Sequence, residues 1–104
     1  MPGFSTELEH NLTPEEAFQR LKTFGDRMRD AYSTHVSELT ETWHDNGRFD
    51  FSFKVMGMSI QGNMITEAER VVVTGSLPFT ALPFRGQLEN EIRARLQEAL
   101  HDSV

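Results

Sequence analysis

The chain has 104 residues, of which 38% are hydrophobic and 25% charged, and this is the composition of one ordinary globular domain with a single core. It carries 16 acidic residues against 10 Lys and Arg, a formal net charge of −6, so binding to nucleic acid or to anionic lipid is disfavoured. Without cysteine it has no thiolate chemistry, and no apolar run is long enough for a signal peptide or a membrane span. We therefore expect a cytoplasmic protein whose residues 1–104 form one domain, with little room for a large ligand cavity.

A short strand and a strongly capped helix open the chain. Residues 4–10 alternate, with Phe4, Leu8 and His10 on one side, which is typical of a strand. Thr13-Pro14-Glu15-Glu16 is a capping box with proline at the first helical position, and helical spacing of apolar residues predicts a helix to about residue 33. Its apolar stripe includes Ala17, Leu21, Phe24 and Met28.

The middle of the chain predicts four consecutive strands, over residues 38–44, 48–56, 58–64 and 71–77. Asp45-Asn46-Gly47 and Gly57 are suited to the tight turns between them. In the second of these strands apolar residues alternate with polar ones, so one face is apolar. That face consists of Phe49, Phe51, Phe53 and Val55. We predict that it is buried beneath the helices, with Phe51 at its centre.

Between the last strand and the final helix the sequence Leu-Pro-Phe occurs twice, at residues 77–79 and 82–84. The two prolines exclude a regular strand or helix interior there. Two interpretations are open. Either the segment is tucked beneath the final helix with Phe79 and Phe84 as anchors, or Phe79, Leu82 and Phe84 form an exposed hydrophobic binding site. The final helix is predicted from about residue 83 to residue 101.

The element order β-α-β-β-β-β-α predicts an α+β fold. Four strands joined by short turns favour an antiparallel sheet, and the polar sides of the strands favour two helices on one face with the other face solvated. This topology is similar to that of TATA-binding-protein-like and helix-grip folds, including reduced relatives of START-type lipid carriers. Topology alone does not give a function.

Several stretches of the sequence resemble one family over nearly the whole chain. They are the opening Glu9-His10-Asn11-Leu12-Thr13-Pro14-Glu15-Glu16-Ala17, then Trp43, Gly57 and Gly62, and the late Gly86-Gln87-Leu88-Glu89-Asn90-Glu91-Ile92 with Leu96. The family is that of the small bacterial polyhydroxyalkanoic acid system proteins, whose genes accompany polyester granule genes. The resemblance implies a granule-associated protein. It brings no catalytic residues with it.

Histidines are the remaining candidates for chemistry. His44, Asp45 and Asp50 surround the first hairpin, where a metal site or an acid–base pair is one interpretation, but no two histidines have i,i+4 ligand spacing. His10 is expected to fix a chain corner through a hydrogen bond, and His35 and His101 lie near helix ends. We therefore predict no catalytic residue, no metal site and no cofactor.

Methionines offer one more functional interpretation. They can line a flexible apolar groove or simply fill gaps beside the phenylalanines, and the sequence favours the second role. The residues concerned are Met28, Met56, Met58 and Met64.

We expect a non-enzymatic binding protein of the polyhydroxyalkanoate storage system, which docks on the granule surface or on a granule protein. The alternative is a small carrier or sensor of an acyl or lipid ligand, of reduced START-like type. A small cyclase or hydrolase on the same scaffold is a third hypothesis, disfavoured because the predicted interior is almost wholly Phe, Met, Ile, Leu and Val. Self-association is left open.

Overall fold

A computed structural model describes residues 3–32 and 36–101 of the chain. Within them lie five strands, two α-helices and one 3-10 helix. The elements are β1 (Gly3–Glu9), α1 (Pro14–Tyr32), β2 (Ser37–Trp43), β3 (Arg48–Val55), β4 (Met58–Thr66), β5 (Arg70–Ser76), the 3-10 helix (Phe79–Phe84) and α2 (Arg85–Leu100). The predicted α+β class and element order are confirmed. The predicted end of α1 near residue 33 lies outside the described residues.

All five strands belong to one antiparallel sheet with the spatial order β1-β5-β4-β3-β2. The last four strands form a meander, and β1 joins the edge of β5. Both helices cover the same face, because the buried residues of the sheet and of the two helices form one core cluster. The opposite face carries the polar residues of the strands and is not covered by any described element.

The two helices run in opposite directions across the sheet. One end of the domain, which we call the polar end, contains the start of α1, the end of α2, and the β2–β3 and β4–β5 turns. There the Arg20 guanidinium donates a hydrogen bond to the carbonyl of Leu100. At the other end, which we call the open end, α1 ends, α2 begins, and the β3–β4 turn and the 3-10 helix lie. Neither helix of the described chain combines the length and the apolarity that a membrane span requires.

Within the two helices, burial is concentrated towards the polar end. The buried residues of α2 are Leu96, Ala99 and Leu100, all in its second half, whereas Leu88 and Ile92 are only partly buried. In α1, Ala17, Leu21 and Phe24 are buried and Met28, near the end of the helix, is partly buried. In the sheet, the buried residues lie in β1, β4 and β5, whereas those of β3 and β2 are at most partly buried. The helices thus close over β1, β5 and β4 and leave β3 and β2 less covered.

The prediction for Phe51 is half right. Its ring faces the helices, as the alternation predicted, but it is only half-buried, as are Phe49 and Phe53. The fully buried core instead includes residues of β5 such as Val71 and Val73, at 0% and 3% exposure. Phe51 is a wall residue of a groove and not the centre of the core.

A row of four residues across the middle of the sheet explains how the aromatic rings fit. Phe4 pairs with Gly75, Gly75 with Gly62, and Gly62 with Phe51. A Cβ at Gly62 would lie 3.0 Å from the Phe51 ring and would also collide with the Thr74 carbonyl, and a Cβ at Gly75 would meet the Phe4 ring and the Gln61 carbonyl. Glycine is required at both positions so that the two rings can lie over the sheet.

Side chains of α2 cover the outer edge of β1. The Ser5 amide donates to the Glu89 carboxylate at 2.8 Å, and the carbonyls of Glu7 and Glu9 accept from Arg93 and His101 at 3.3 and 2.7 Å. These bonds satisfy backbone groups that an edge strand would otherwise offer to another chain. At the other edge, β2 has a bulge between Ser37 and Thr40, which interrupts its pairing with β3.

The stability test of this arrangement is Gly62→Ala. We expect it to lower the free energy of unfolding by about 1–3 kcal/mol, because the methyl group overpacks the site between Phe51 and β5. Gly86→Ala is the matched control, since a Cβ there meets no atom within 4 Å and the residue lies in a helix. Urea unfolding of the two variants checks this. A Gly62→Ala variant as stable as the Gly86→Ala variant would contradict the requirement for glycine at residue 62.

Candidate hydrophobic binding site

A groove lies between β2, β3 and the two helices. It encloses about 340 Å³, within the range of about 300–1,000 Å³ that small-ligand sites have. Its lining is apolar except for four charged residues, and the main apolar ones are Phe4, Phe24, Met28, Val36, Leu39, Trp43, Phe49, Phe51, Phe53, Met64, Leu88 and Ile92. This is an open groove near the lower limit of that range and not a large internal cavity, so the expectation that the chain has little room for such a cavity is not contradicted.

A stacked series of aromatic rings forms one wall of the groove. Trp43 stacks on Phe49 with a centroid distance of 4.0 Å, and Phe49, Phe51 and Phe53 follow along β3 at 5.8 and 6.2 Å. On its outer side Trp43 meets the ring of Phe18 edge to face at 5.4 Å. Rings in these offset and edge-to-face arrangements attract one another, so the wall is held together along β3 and joined to α1 through Phe18.

The helix α1 approaches this wall at Gly25. A Cβ on Gly25 would lie 3.3 Å from the Trp43 ring, so the absence of a side chain lets the helix and the indole meet closely. Near the end of α1, Arg29 donates to the Glu41 carboxylate of β2 at 2.9 Å. These two contacts hold α1 against β2 along the side of the groove that lies away from the buried core.

Four charged residues border the groove, two of each sign, and they are paired. Arg29 pairs with Glu41 at 2.9 Å and also with Asp26 at 2.9 Å. On α2, Arg95 pairs with Glu91 at 2.6 Å and with Glu98 at 3.3 Å. The side chains of the four bordering residues are between 17% and 59% exposed, so they stand at the rim and not on the floor.

The exposed large apolar side chains of the described residues all lie at or near the open end. Phe79 is 73% exposed, Phe84 56%, Leu82 39%, Met56 90% and Leu39 37%. Met56 is in the β3–β4 turn, Leu39 is close to the start of β2, and the other three belong to the 3-10 helix. The groove reaches this end too, because Val36, Met28 and Leu88 line it.

The structure contradicts one of the two interpretations of the Leu-Pro-Phe segment. Residues 79–84 form a 3-10 helix with Pro83 inside it, and its anchors are Leu77 and Ala81, at 1% and 3% exposure. Because residues i and i+3 share one side of a 3-10 helix, Phe79 and Leu82 point the same way, and both are exposed. Anchoring by Phe79 and Phe84 is therefore wrong, while binding by Phe79, Leu82 and Phe84 stays a prediction.

The methionines divide between the two roles. Met28 and Met64 line the groove, and Met58 is partly buried against the core. Met56 does neither, since it is exposed in a turn where its φ is 51°. The preference for gap filling is thus right for only part of the set.

The first hairpin brings together two of the three residues considered for chemistry. His44 Nε2 lies 2.8 Å from the Asp50 carboxylate, which also accepts from Arg48 at 2.9 Å, whereas Asp45 takes no part in this cluster. The group stands on the exposed sheet face, away from the groove. Across residues 3–32 and 36–101, no group of three or more His, Cys, Asp or Glu residues is arranged to hold a metal ion.

His10 has the role that the sequence predicted. The Leu12 amide donates to its Nδ1 at 3.1 Å, so Nε2 carries the hydrogen and donates to the Glu67 carbonyl at 2.9 Å. The ring is 5% exposed and ties the end of β1 to the β4–β5 turn. His101 is exposed and bonds β1, as described above, and His35 lies outside the described residues.

The groove was not predicted as a site: the phenylalanines of β3 were expected to be buried core, and Met28 and Met64 were considered as groove residues but expected to fill gaps. The alternating aromatic run of β3 was a usable signal, since three rings on one face need a large partner surface. Nothing in the local pattern of α1 or α2 shows that Met28, Leu88 and Ile92 leave this face partly uncovered. The exposure of these residues depends on how the two helices pack on the sheet, which is a property of the assembled fold.

Comparisons with known proteins give a family and a distant similarity to solved structures. A family model described as "Putative polyhydroxyalkanoic acid system protein" matches residues 5–100. No curated protein matches the chain significantly. Among solved structures, the crystal structure of TTHA0849 from Thermus thermophilus is similar, with 18% sequence identity, a TM-score of 0.40, and coverage of 94% of this chain and 88% of that one.

Replacing His10 tests the corner. We expect His10→Ala to lower the free energy of unfolding by about 1–3 kcal/mol, because the Glu67 carbonyl and the Leu12 amide lose their partner in a part-buried site. His44→Ala is the control, because it breaks a solvent-exposed pair, and such pairs contribute little to stability. Denaturant melts give both values. Equal losses would show that the buried bonds of His10 add nothing.

The carboxyl of Asp50 should titrate at low pH. The hydrogen bond from Arg48, and after it that from His44, lowers the pKa of Asp50 below its ordinary value. A lowered folded-state pKa means that the ionised carboxyl stabilises the fold above its unfolded pKa, and that this contribution is lost as the pH falls through the folded pKa. In an NMR titration, Arg48→Ala should raise the pKa of Asp50 more than His44→Ala does. A larger effect of His44→Ala would reverse the assigned cause.

Proposed function

The chain belongs to the polyhydroxyalkanoic acid system family, and on that premise we propose that it is a non-enzymatic protein that docks on the polyhydroxyalkanoate granule. The docking site is the open end, with Phe79, Leu82 and Phe84 as its main residues. The observation that carries the proposal is the distribution of exposed large apolar side chains, which all lie at or near this end among the described residues. A cytoplasmic, granule-associated location is part of the same proposal.

The polarity of the molecule supports docking by one end. The polar end carries the corner of His10 and a depression bordered by Glu9, Glu67, Glu69 and Arg70. The open end has three exposed apolar residues in one six-residue segment, and the buried Leu77 and Ala81 hold that segment on the domain. A clustered apolar surface on a protein that is otherwise charged is typical of an interaction site.

Binding is better supported than catalysis. Among the described residues that line the groove, the ionisable ones are Arg29, Glu41, Glu91 and Arg95, and all four are engaged in ion pairs. A general acid or base needs a carboxyl or imidazole with access to the substrate and a pKa adapted to the reaction. The cyclase or hydrolase hypothesis has no such group in this groove, and we propose that the protein is not an enzyme.

Nucleic acid is not a partner in this proposal. The cations on the exposed sheet face are already paired, Arg48 with Asp50 at 2.9 Å, Lys54 with Glu38 at 3.2 Å and Arg70 with Glu67 at 2.7 Å. With a formal net charge of −6, the chain has no surplus of cations to neutralise phosphates. We therefore expect no binding to duplex DNA at physiological salt.

The second candidate function is a carrier or sensor of a soluble acyl ligand. The groove favours it, because its volume and apolar lining are those of a small-ligand site. The two functions differ in one respect that can be measured. A carrier binds a free acyl ligand and needs no granule, whereas a docking protein remains with the granule.

Co-sedimentation tests docking. We expect the double variant Phe79→Ser, Phe84→Ser to lose granule binding by about tenfold to a hundredfold, since burying one exposed ring contributes roughly 1.5–3 kcal/mol. Its melting curve should stay close to that of the wild type, because both rings are mainly solvent-exposed. The measurement is the fraction of protein that pellets with purified native granules and, separately, with protein-free polyester particles.

The matched control removes apolar groups from the opposite sheet face. Ile65→Thr with Val72→Thr replaces two cross-strand neighbours by β-branched polar residues and should leave pelleting unchanged. Pelleting with native granules but not with bare polyester would assign the docking end to a granule protein. If the folded serine variant pellets fully with native granules and with bare polyester, the 3-10 helix is not the docking site.

A further inference from the structure

We propose that the groove holds a neutral linear aliphatic ester, of the kind found in a polyhydroxyalkanoate chain, and discriminates against the corresponding free carboxylate. The inference rests on the proposed function, because docking at the open end brings the groove to the polymer. It adds that the ligand is a neutral ester, whereas docking names no ligand of the groove and the carrier hypothesis names only a soluble acyl ligand.

The lining gives the first part of the argument. Apart from the four rim residues, the groove is lined by aliphatic, methionine, phenylalanine, glycine and tryptophan residues among those the structure describes. Such walls gain free energy from burying methylene groups and offer few hydrogen-bond partners to a polar head group. A mainly aliphatic ligand fits this lining, and a sugar or a nucleotide does not.

The rim gives the second part. A carboxylate head group needs a cation, and both rim arginines are already bonded to glutamates, Arg29 to Glu41 and Arg95 to Glu91. A free acid therefore meets only arginines that already have a carboxylate partner, and its charge would lose hydration beside the apolar wall without a cation of its own. An ester carries no charge and disturbs neither pair.

The position of the groove gives the third part. It reaches the open end through Val36, Met28 and Leu88, and the exposed residues of the 3-10 helix lie at that same end. A chain at the surface of a docked polyester particle is therefore next to the groove. The aromatic wall of Trp43, Phe49, Phe51 and Phe53 offers a continuous surface for its methylene groups.

Trp43 provides a direct readout. It is the one tryptophan of the sequence and lines the groove, so its fluorescence should respond to a ligand there. The probes are the methyl ester of hydroxydecanoic acid and the hydroxydecanoate anion itself, titrated into the purified full chain without granules. We expect the ester to bind at least about tenfold more tightly than the anion. Equal or tighter binding of the anion, or no binding of the ester, overturns the proposal.

Two kinds of variant locate the site. Ile92→Phe adds bulk to a half-buried groove position and should weaken ester binding by about tenfold or more, whereas Ile65→Phe makes the same change on the opposite sheet face and should not. Leu88→Phe is the second blocking variant, for use if Ile92→Phe unfolds. Ester binding that survives in a folded blocking variant places the ligand outside the groove and overturns the proposal.

Removal of a rim carboxylate tests the selectivity. Glu41→Gln takes one acidic partner from Arg29 and should improve binding of the anion relative to the ester, with the fold intact. An unchanged ratio overturns the role assigned to the rim pairs. The outcome is separable from docking, because the ester titration uses no granule. If the protein pellets fully with granules but does not bind the ester, the groove proposal is rejected and docking stands. If it binds the ester but does not pellet with granules, docking is rejected and the groove proposal stands.

Discussion

The pairing of Gly62 with Gly75 in the middle of the sheet is the constraint on which the rest of the molecule depends. Neither position tolerates a Cβ, because the carbonyl oxygens of the adjoining strands occupy the space, and the rings of Phe51 and Phe4 lie over the two glycines from either side. The middle of the sheet therefore has no side chains at these two positions and is flanked by aromatic residues. Larger residues at these two positions would lift both rings towards the helices and fill the space in which the groove lies.

The two halves of the domain have different physical tasks. On one side, α1, α2 and strands β1, β5 and β4 form a closed core, and the corner at His10 and the bond from Arg20 to Leu100 hold the chain ends of these elements. On the side of β3 and β2 the aromatic residues are less covered, which costs hydrophobic stabilisation and leaves an apolar surface accessible. Binding regions are commonly drawn from the less stable part of a fold. Here that part is continuous with the core through Phe4 and Met64, which belong to both.

Much of the fold could be predicted from the sequence, because its signals are local. The capping box at Thr13, the Asn-Gly turn and the alternation in β3 specify the start of α1, a hairpin and the orientation of the phenylalanines, and the Glu16 amide does donate to the Thr13 hydroxyl at 3.1 Å. The position of His10 at a strand end likewise indicated a structural bond. Each of these depends on residues close together in the chain or on a strict period.

The site could be predicted only in part, since it depends on contacts between distant segments. Alternation shows which face Phe51 is on, but not whether a helix covers that face. The apolar spacing of α2 likewise does not reveal that Leu88 and Ile92 stand at the groove. The exposure of Phe79 is a similar case, because whether Ala81 or a phenylalanine anchors the 3-10 helix depends on how β5 leads into α2. The bonds from α2 to Ser5, Glu7 and Glu9 join residues more than 80 positions apart, which no local pattern displays.

Those bonds from α2 also limit how the protein can assemble. A β-sheet grows by adding strands at a free edge, and at β1 the side chains of Glu89, Arg93 and His101 occupy that edge. Of the five described strands, only β2 can accept another strand in register with the sheet. Two copies joined through their β2 strands would each use this one available edge, so such pairing ends at a twofold dimer and cannot continue into a fibre. If the protein gathers on a granule surface, as proposed, this arrangement of edges limits its polymerisation through the sheet there.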